Sequence, residues 1–503
     1  MDQPHPAWRF GRAIDRWLRE CCTLDIRSLA VFRICLGLIL VADSLLHVGE
    51  LRLMLSPDGV FPPHMVREFH GEPANWSLLF LADSAWWGGT VIAAEGVAGA
   101  LLAAGCFTRV ASVLGWVVVL SVIRRMTPAT HSGDLWLACL LFWSMFLPLG
   151  AVWSLDARWR GGRGGSTPPA AVCSVATLAL VVQLVFVYLG AGLAKCNPTW
   201  YSGEAMSHAL SVHDHGSQLG MLLAELPWIV RPLTWIVLLV ELAAPLLLVA
   251  CPAPAVRLVL VVSFLFFHAA IWLTMSIGLF APIGMTAWLP LVPAGVWRGF
   301  GVVPRTAGVA GLGRITGWAC GCALALAATS FVHTRGLLGN TRLPRPLSAA
   351  IAACGMEQPW AMFGTVPPRE QWVYGLATLA DGSIVDLLRC GRPLERERPA
   401  GGFGSLASNR WHKFFWVLPQ PGIRVFGDST AAALARDWNA RHEPAKHVAS
   451  LELRFTIQDV TAADAPLQEM LVAAWPPRTE AGGGNLERLL ETATVDHDGR
   501  PRP

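Results

Sequence analysis

An all-α polytopic membrane bundle of eight or nine transmembrane helices, followed by a small C-terminal α+β extracytoplasmic domain, is the fold this sequence predicts. Three observations lead to it. The 503 residues are 53% hydrophobic and only 15% charged, against about 25% charged in an ordinary soluble domain. Apolar runs long enough to cross a hydrocarbon core of about 30 Å recur near 28–48, 88–106, 109–125, 134–153, 168–194, 229–250, 257–276, 279–297 and 316–333. Beyond residue 335 these runs stop, and period-two alternation with turn signals replaces them. The lipid bilayer is therefore the first partner. A net charge of only +4 leaves no basic footprint for nucleic acid.

The chain divides into a cytoplasmic amphipathic segment (1–27), a transmembrane domain (28–335), an extracytoplasmic α+β domain (345–475) and a disordered tail (476–503). Residues 8–20, WRFGRAIDRWLRE, set Trp8, Ile14, Trp17 and Leu18 among four arginines, the pattern of a helix lying on the inner leaflet. The first span then acts as a signal anchor, because residues 1–27 are too charged for a cleavable leader. Residues 50–87, rich in Trp, Phe and Pro, read as a cap over the outer end of the bundle. Residues 154–168 read as a flexible cytoplasmic linker. Pro282, Pro290 and Pro293 make 279–297 the weakest span.

Orientation follows the basic residues. With a cytoplasmic N-terminus and nine spans, thirteen arginines fall in inside segments and six basic residues in the short outside loops. A cell inner-membrane protein with its C-terminal domain outside is the result.

In the C-terminal part, Asp381–Gly382 sits between two β-prone runs over 372–388 and predicts a hairpin. Residues 447–459 alternate, with Leu451, Leu453, Phe455 and Ile457 on one face, as a half-buried strand does. Ser429 and Thr430 are candidate caps for a helix running to about Arg441. The twelve cysteines form no CxxC pair and no zinc spacing, so no metal site is expected. Cys354 and Cys390 lie where an oxidising compartment would let them pair.

Ionisable residues at membrane depth mark function or buried pairs, and the spans carry Arg33, Asp43, Glu95, His131, Asp134, Glu241 and His268. The plain expectation is that Arg33 or a residue of a neighbouring span neutralises Glu95, Asp43 or Glu241. His268, Trp272 and Ser276 follow at i, i+4 and i+8, a stripe suited to a flat aromatic ligand. Lys195 differs from the rest. The chain holds three lysines, Lys195, Lys413 and Lys446, and 36 arginines, and it places one lysine at a membrane edge. Both side chains snorkel, but only lysine gives up its proton readily when buried. Gly190 and Gly192 allow a backbone or ligand to approach within a turn of it. The residues alone thus suggest a membrane-embedded general base.

Five stretches, in order, carry a family resemblance: LAVFRICLGLILVADSLLHVG (29–49), HSGDLW (131–136) with WSLDARW (153–159), YLGAGLAKCNPTW (188–200), FFHAAIWLTMSIGLF (266–280) and W-x-M-F (360–363). Together they resemble the vitamin K-dependent gamma-glutamyl carboxylases and their bacterial relatives, the HTTM (horizontally transferred transmembrane) domain proteins. The resemblance implies that Lys195 deprotonates a reduced vitamin K or menaquinone-type hydroquinone, which reacts with O2 towards an epoxide. The strong base so formed takes a γ-proton from a peptide glutamate, and the carbanion adds CO2. His131 matches the active-site histidine and His268 a position lining the pocket; Tyr188, Trp200 and Arg33 match motif positions and, with Trp272 and Ser276, are the other expected quinone or substrate pocket residues.

The region after the spans is much shorter than in the animal enzymes, where it helps to bind the substrate's propeptide. The expected function is therefore an integral membrane enzyme acting on a reduced naphthoquinone, with carboxylation of a Glu-containing exported peptide as its further step. The alternative is a non-catalytic membrane module for export or maturation of a peptide. A transporter relaying protons through Glu95, Glu241 and His268 is the third reading, but the chain shows no paired broken helices or matching halves.

Overall fold

The computed structural model describes residues 15–477, apart from 72–73, 163–167, 213–214, 300–305, 312, 338, 340, 400–401, 403–405, 407 and 461–465. Among the described residues the bundle is built, in chain order, from α1 (Ile26–Val48), α2 (Ala85–Ala104), α3 (Thr108–Arg125), α4 (Ser132–Ser144), α5 (Val175–Ala194), α6 (Pro227–Ala250), α7 (Pro254–Thr274), α8 (Phe280–Trp288) and α9 (Arg314–Thr334). Six of these, α1, α2, α5, α6, α7 and α9, are long and apolar enough to cross a membrane. The expected runs 109–125, 134–153 and 279–297 correspond to the other three. In α3, Arg109, Arg124 and Arg125 dilute the apolar stretch. The helix α4 stops at Ser144, ahead of Pro148, and Pro290 ends α8.

Local chemistry sets the helix starts. The Asp25 side chain accepts from Arg27 N at the start of α1, and Ser84 accepts from Trp87 N at the start of α2. Ser174 and Thr177 form a reciprocal capping box on α5. The closest contact is between α1 and α2. A Cβ on Gly37 would lie 2.4 Å from Ala103 N, and one on Gly99 would lie 2.8 Å from Gly37 O. Small residues at both sites let the two backbones touch.

One end of the bundle is tied by a short sheet. Leu24–Asp25 (β1) pairs antiparallel with Pro169–Val172 (β2), which pairs parallel with Thr306–Ala310 (β3). Arg33 works near this end. Its Nη2 donates to Trp153 O at 2.6 Å and Ala103 O at 3.4 Å. Gly105, at φ +68°, leaves room for the guanidinium, since a Cβ there would fall 2.0 Å from Nη1. Arg33 is thus committed to carbonyls, about 15 Å along α1 from Asp43, and does not neutralise Asp43, Glu95 or Glu241. The expected linker at 154–168 is also ordered as far as 162. Leu155–Gly162 is helical, and Asp156 accepts from Phe107 N, Thr108 N and Thr108 Oγ1, capping α3. Residues 163–167 of that expectation lie outside the described residues, as do residues 1–14 of the amphipathic segment and 478–503 of the tail. Residues 15–22 are helical, with Trp17 Nε1 donating to Val249 O.

The C-terminal region sits on the opposite end. After α10 (Arg345–Cys354) come β4 (Arg369–Leu379), β5 (Ile384–Asp386), β6 (Arg392–Pro393), α11 (Asn409–Val417), α12 (Gly427–Asn439), β7 (Val448–Asp459) and β8 (Gln468–Trp475). The sheet order is β6-β5-β4-β7-β8, antiparallel throughout. The expected hairpin turns at Gly382, φ +84°. Leu451, Leu453, Phe455 and Ile457 are buried as expected, but Glu452 and Thr456 of the opposite face are buried too, so the strand is covered on both faces and not half-buried. Ser429 and Thr430 do not cap α12: both hydroxyls donate back to Phe426 O from inside its first turn. Cys354 and Cys390 are free thiols.

Residues 51–80 wedge between bundle and sheet. Phe61 meets Phe414 and Phe426 edge-on, Ser429 Oγ donates to Val60 O, and Arg125 Nη1 donates to Phe61 O. One continuous core therefore joins α2 and α3 to the C-terminal region.

Gly37→Val is expected to destabilise the protein by at least about 1–3 kcal/mol through backbone overpacking, read as a lower thermal midpoint in detergent. Gly89→Ala, where an added Cβ meets nothing within 4 Å, should leave that midpoint unchanged or raise it, since alanine is favoured over glycine inside a helix by about 0.5–1 kcal/mol.

Candidate functional site

Lys195 caps the C-terminus of α5 and is only 2% exposed, so it does not snorkel to water. Its Nζ lies 2.7 Å from Glu241 Oε2 on α6 and donates to Met362 O at 2.7 Å. It also stands 5.2 Å from the centre of the Trp200 ring, a cation–π distance. The two glycines bring this about. A Cβ on Gly192 would be 2.9 Å from Leu242 Cδ2 and 3.3 Å from Glu241 C, so α6 can approach only a glycine there. A Cβ on Gly190 would be 2.9 Å from Trp360 Cβ. The lysine motif and the W-x-M-F stretch, 167 residues apart, therefore meet: Trp200 Nε1 donates to Phe363 O and Asn197 Nδ2 to Gly364 O. Phe363 takes a left-handed backbone, φ 54°, which a non-glycine residue holds only when its surroundings fix it.

Two turns earlier on the same face of α5 lies Tyr188. Its hydroxyl accepts from Trp288 Nε1 at 2.8 Å and sits 2.7 Å from His268 Nε2. Indole N–H can only donate, so Trp288 fills one acceptor site of the hydroxyl, and the direction of the Tyr188–His268 bond follows the imidazole tautomer. The Nδ1 of His268 is buried and has no hydrogen-bond partner. Trp136, Phe264 and Phe280 complete an aromatic shell around the pair. Trp272 and Ser276 are not brought to His268. The helix α7 ends at Thr274, Trp272 is 60% exposed, and Ser276 lies beyond the helix, where its backbone N–H donates to His215 O. His268 itself is fully buried.

His131 belongs to a third cluster. It precedes α4, with Nδ1 3.1 Å from Asp134 Oδ2. Asp134 also receives a two-pronged bond from Arg410 of α11, at 2.9 and 3.1 Å. Arg410 further meets Glu50 at 3.1 Å and Asp43 at 3.5 Å. Burial alone would lower the Arg410 guanidinium, but the carboxylates of Asp134, Asp43 and Glu50 outweigh burial and hold it above its ordinary value. Lys195 and His131 thus stand under the same C-terminal cover, in separate contacts. Sequence reasoning did not find Glu241 as the partner of Lys195, nor Arg410. The first had a signal, one buried anion and one buried cation on neighbouring apolar runs; the second had none, because Arg410 lies 276 residues from Asp134.

Residues 22–297 match a family model described as HTTM domain, more than half of the 503 residues. No curated protein and no solved structure matches the chain.

Removing one partner of a buried ion pair strands the other. Glu241→Gln is expected to cost about 3–5 kcal/mol, whereas the double variant Lys195→Met/Glu241→Leu should recover most of that loss. Thermal unfolding of the purified variants checks both.

Proposed function

The chain belongs to the HTTM domain family, and from that premise we propose that it is an integral membrane enzyme in which Lys195, paired with Glu241, takes a proton from a reduced naphthoquinone. The observation that carries the reading is the buried Lys195–Glu241 contact, placed two helical turns from the aromatic shell of Tyr188, His268 and Trp288. Glu241 and Met362 O fix the lysine nitrogen in a water-poor place. An arginine there could not exchange its proton.

The residues present fit a flat ring bearing oxygens. The buried Nδ1 of His268 has unmet hydrogen-bonding capacity, and Trp136, Tyr188 and Phe280 supply apolar faces. A vitamin K or menaquinone-type hydroquinone would supply the reducing equivalents for O2-dependent epoxidation. The family resemblance adds CO2-dependent γ-carboxylation of a glutamate in an exported peptide, with His131 assisting. If α3, α4 and α8 complete the six longer helices, nine passes set the two ends on opposite sides, and the basic-residue count favours a cytoplasmic N-terminus with the C-terminal region outside the inner membrane. The positions of Arg33 at the sheet-tied end and of Trp272 on the exposed side of α7 take them out of the pocket in this reading.

One observation favours the alternative, a non-catalytic membrane module for peptide export or maturation. The Lys195 contact with Met362 O also fastens the C-terminal region to the bundle.

Protein in nanodiscs, given reduced menaquinone or vitamin K, O2 and labelled bicarbonate, separates the two. Epoxide is expected from the parent and at least about 100-fold less from Lys195→Arg, which keeps the charge. Label fixed into a Glu-containing peptide would add the carboxylation step. Folded parent protein that makes no epoxide with any of several naphthoquinols overturns the enzyme reading, as does Lys195→Arg at parental rate.

A further inference from the structure

We infer that Asp43, His47 and Glu95 form a binding site for a divalent first-row transition metal, independent of the quinone reading. Asp43 and His47 lie one turn apart on α1, and Glu95 faces them from α2. All three are buried, Glu95 completely, and one ligand atom from each lies within 4.8 Å of the others. His47 Nδ1 is 3.4 Å from Glu95 Oε2 and 3.9 Å from Asp43 Oδ1. Around a tetrahedral cation with bonds near 2.1 Å, neighbouring ligand atoms stand about 3.4 Å apart. The trio is thus spaced as ligands are, and too widely for good mutual hydrogen bonds.

The unmet bonding capacity points the same way. Both carboxylate oxygens of Glu95 and both ring nitrogens of His47 are buried without a hydrogen-bond partner. Natural interiors rarely leave four such atoms in one place. Nearby polar groups are engaged elsewhere: Ser44 Oγ donates to Ile92 O, and Arg410 is divided among Asp134, Glu50 and Asp43.

Charge gives a further reason. Four acidic side chains, Asp43, Glu50, Glu95 and Asp134, are buried around the single guanidinium of Arg410, and Glu95 is not among its contacts. A dication would bring positive charge to Glu95 and take His47 as a neutral ligand. The imidazole beside two carboxylates suits Zn2+, Mn2+ or Fe2+ and argues against Mg2+ and Ca2+, which take oxygen ligands. Arg410, in contact with Asp43, would orient that ligand from outside the coordination sphere, as hydrogen-bonded partners do at metal centres. The rival is a proton held by His47 in the same space.

The test uses full-length protein without a histidine tag, stripped with a chelator and dialysed against Zn2+, Mn2+ or Co2+. Metal analysis is expected to find about one equivalent per chain, with Co2+ giving visible ligand-field bands, and His47→Gln and Glu95→Gln should each weaken retention at least about 10-fold. Variants are scored only where size-exclusion and thermal unfolding show folded protein. Should neither fold, the parent decides alone: about one equivalent with Co2+ bands supports the site, and less than about 0.1 equivalent with every metal overturns it. Parental retention in a folded His47→Gln also overturns it.

Discussion

Charges removed from water must be met by opposite charge or by dipoles, and at the covered end of this bundle that requirement decides which elements touch. Lys195 pulls together α5, α6 and the W-x-M-F stretch through Glu241 and Met362 O. Arg410 does the same for α1, α4 and α11, reaching Asp43, Glu50 and Asp134. The apolar cores supply most of the area, but hydrocarbon contacts are tolerant of register. Two buried cations with fixed partners are not.

That arrangement ties the C-terminal region to the chemistry. Met362 O is the second acceptor of Lys195, and Phe363 and Gly364 accept from Trp200 and Asn197 of the same motif. A shift of the W-x-M-F stretch would alter the surroundings of Lys195 directly. The covering region and the Lys195 motif are therefore packed as one unit, which a bundle of spans alone would not require.

Much of the fold was legible in the sequence. The long apolar runs returned as helices because length and hydropathy constrain a span strongly. The Asp381–Gly382 hairpin and the strand at 448–459 followed from turn chemistry and period-two sequence alternation, although the strand is buried on both faces. The site was legible where spacing along one helix suffices: Tyr188, Gly192 and Lys195 share one face of α5, and Gly190 lies on the other, against Trp360. It failed where contacts cross the chain. Trp272 follows His268 at helical spacing, yet its face of α7 is exposed. Arg33 looked like a counter-ion and instead serves the carbonyls of Trp153 and Ala103. No metal site was expected, since only Asp43 and His47 are neighbours in sequence, and Glu95 joins them solely through the close crossing at Gly37 and Gly99.

The central claim is that Lys195 exchanges a proton with a bound naphthoquinol. Because the chain holds three lysines, side-chain NMR of lysine-labelled protein in nanodiscs gives three assignable signals, with Lys413 and Lys446 as internal references. Anaerobic addition of a reduced naphthoquinone should shift the Lys195 resonances and leave those of Lys446 in place. Lys195 resonances unmoved at saturating quinol would contradict the account.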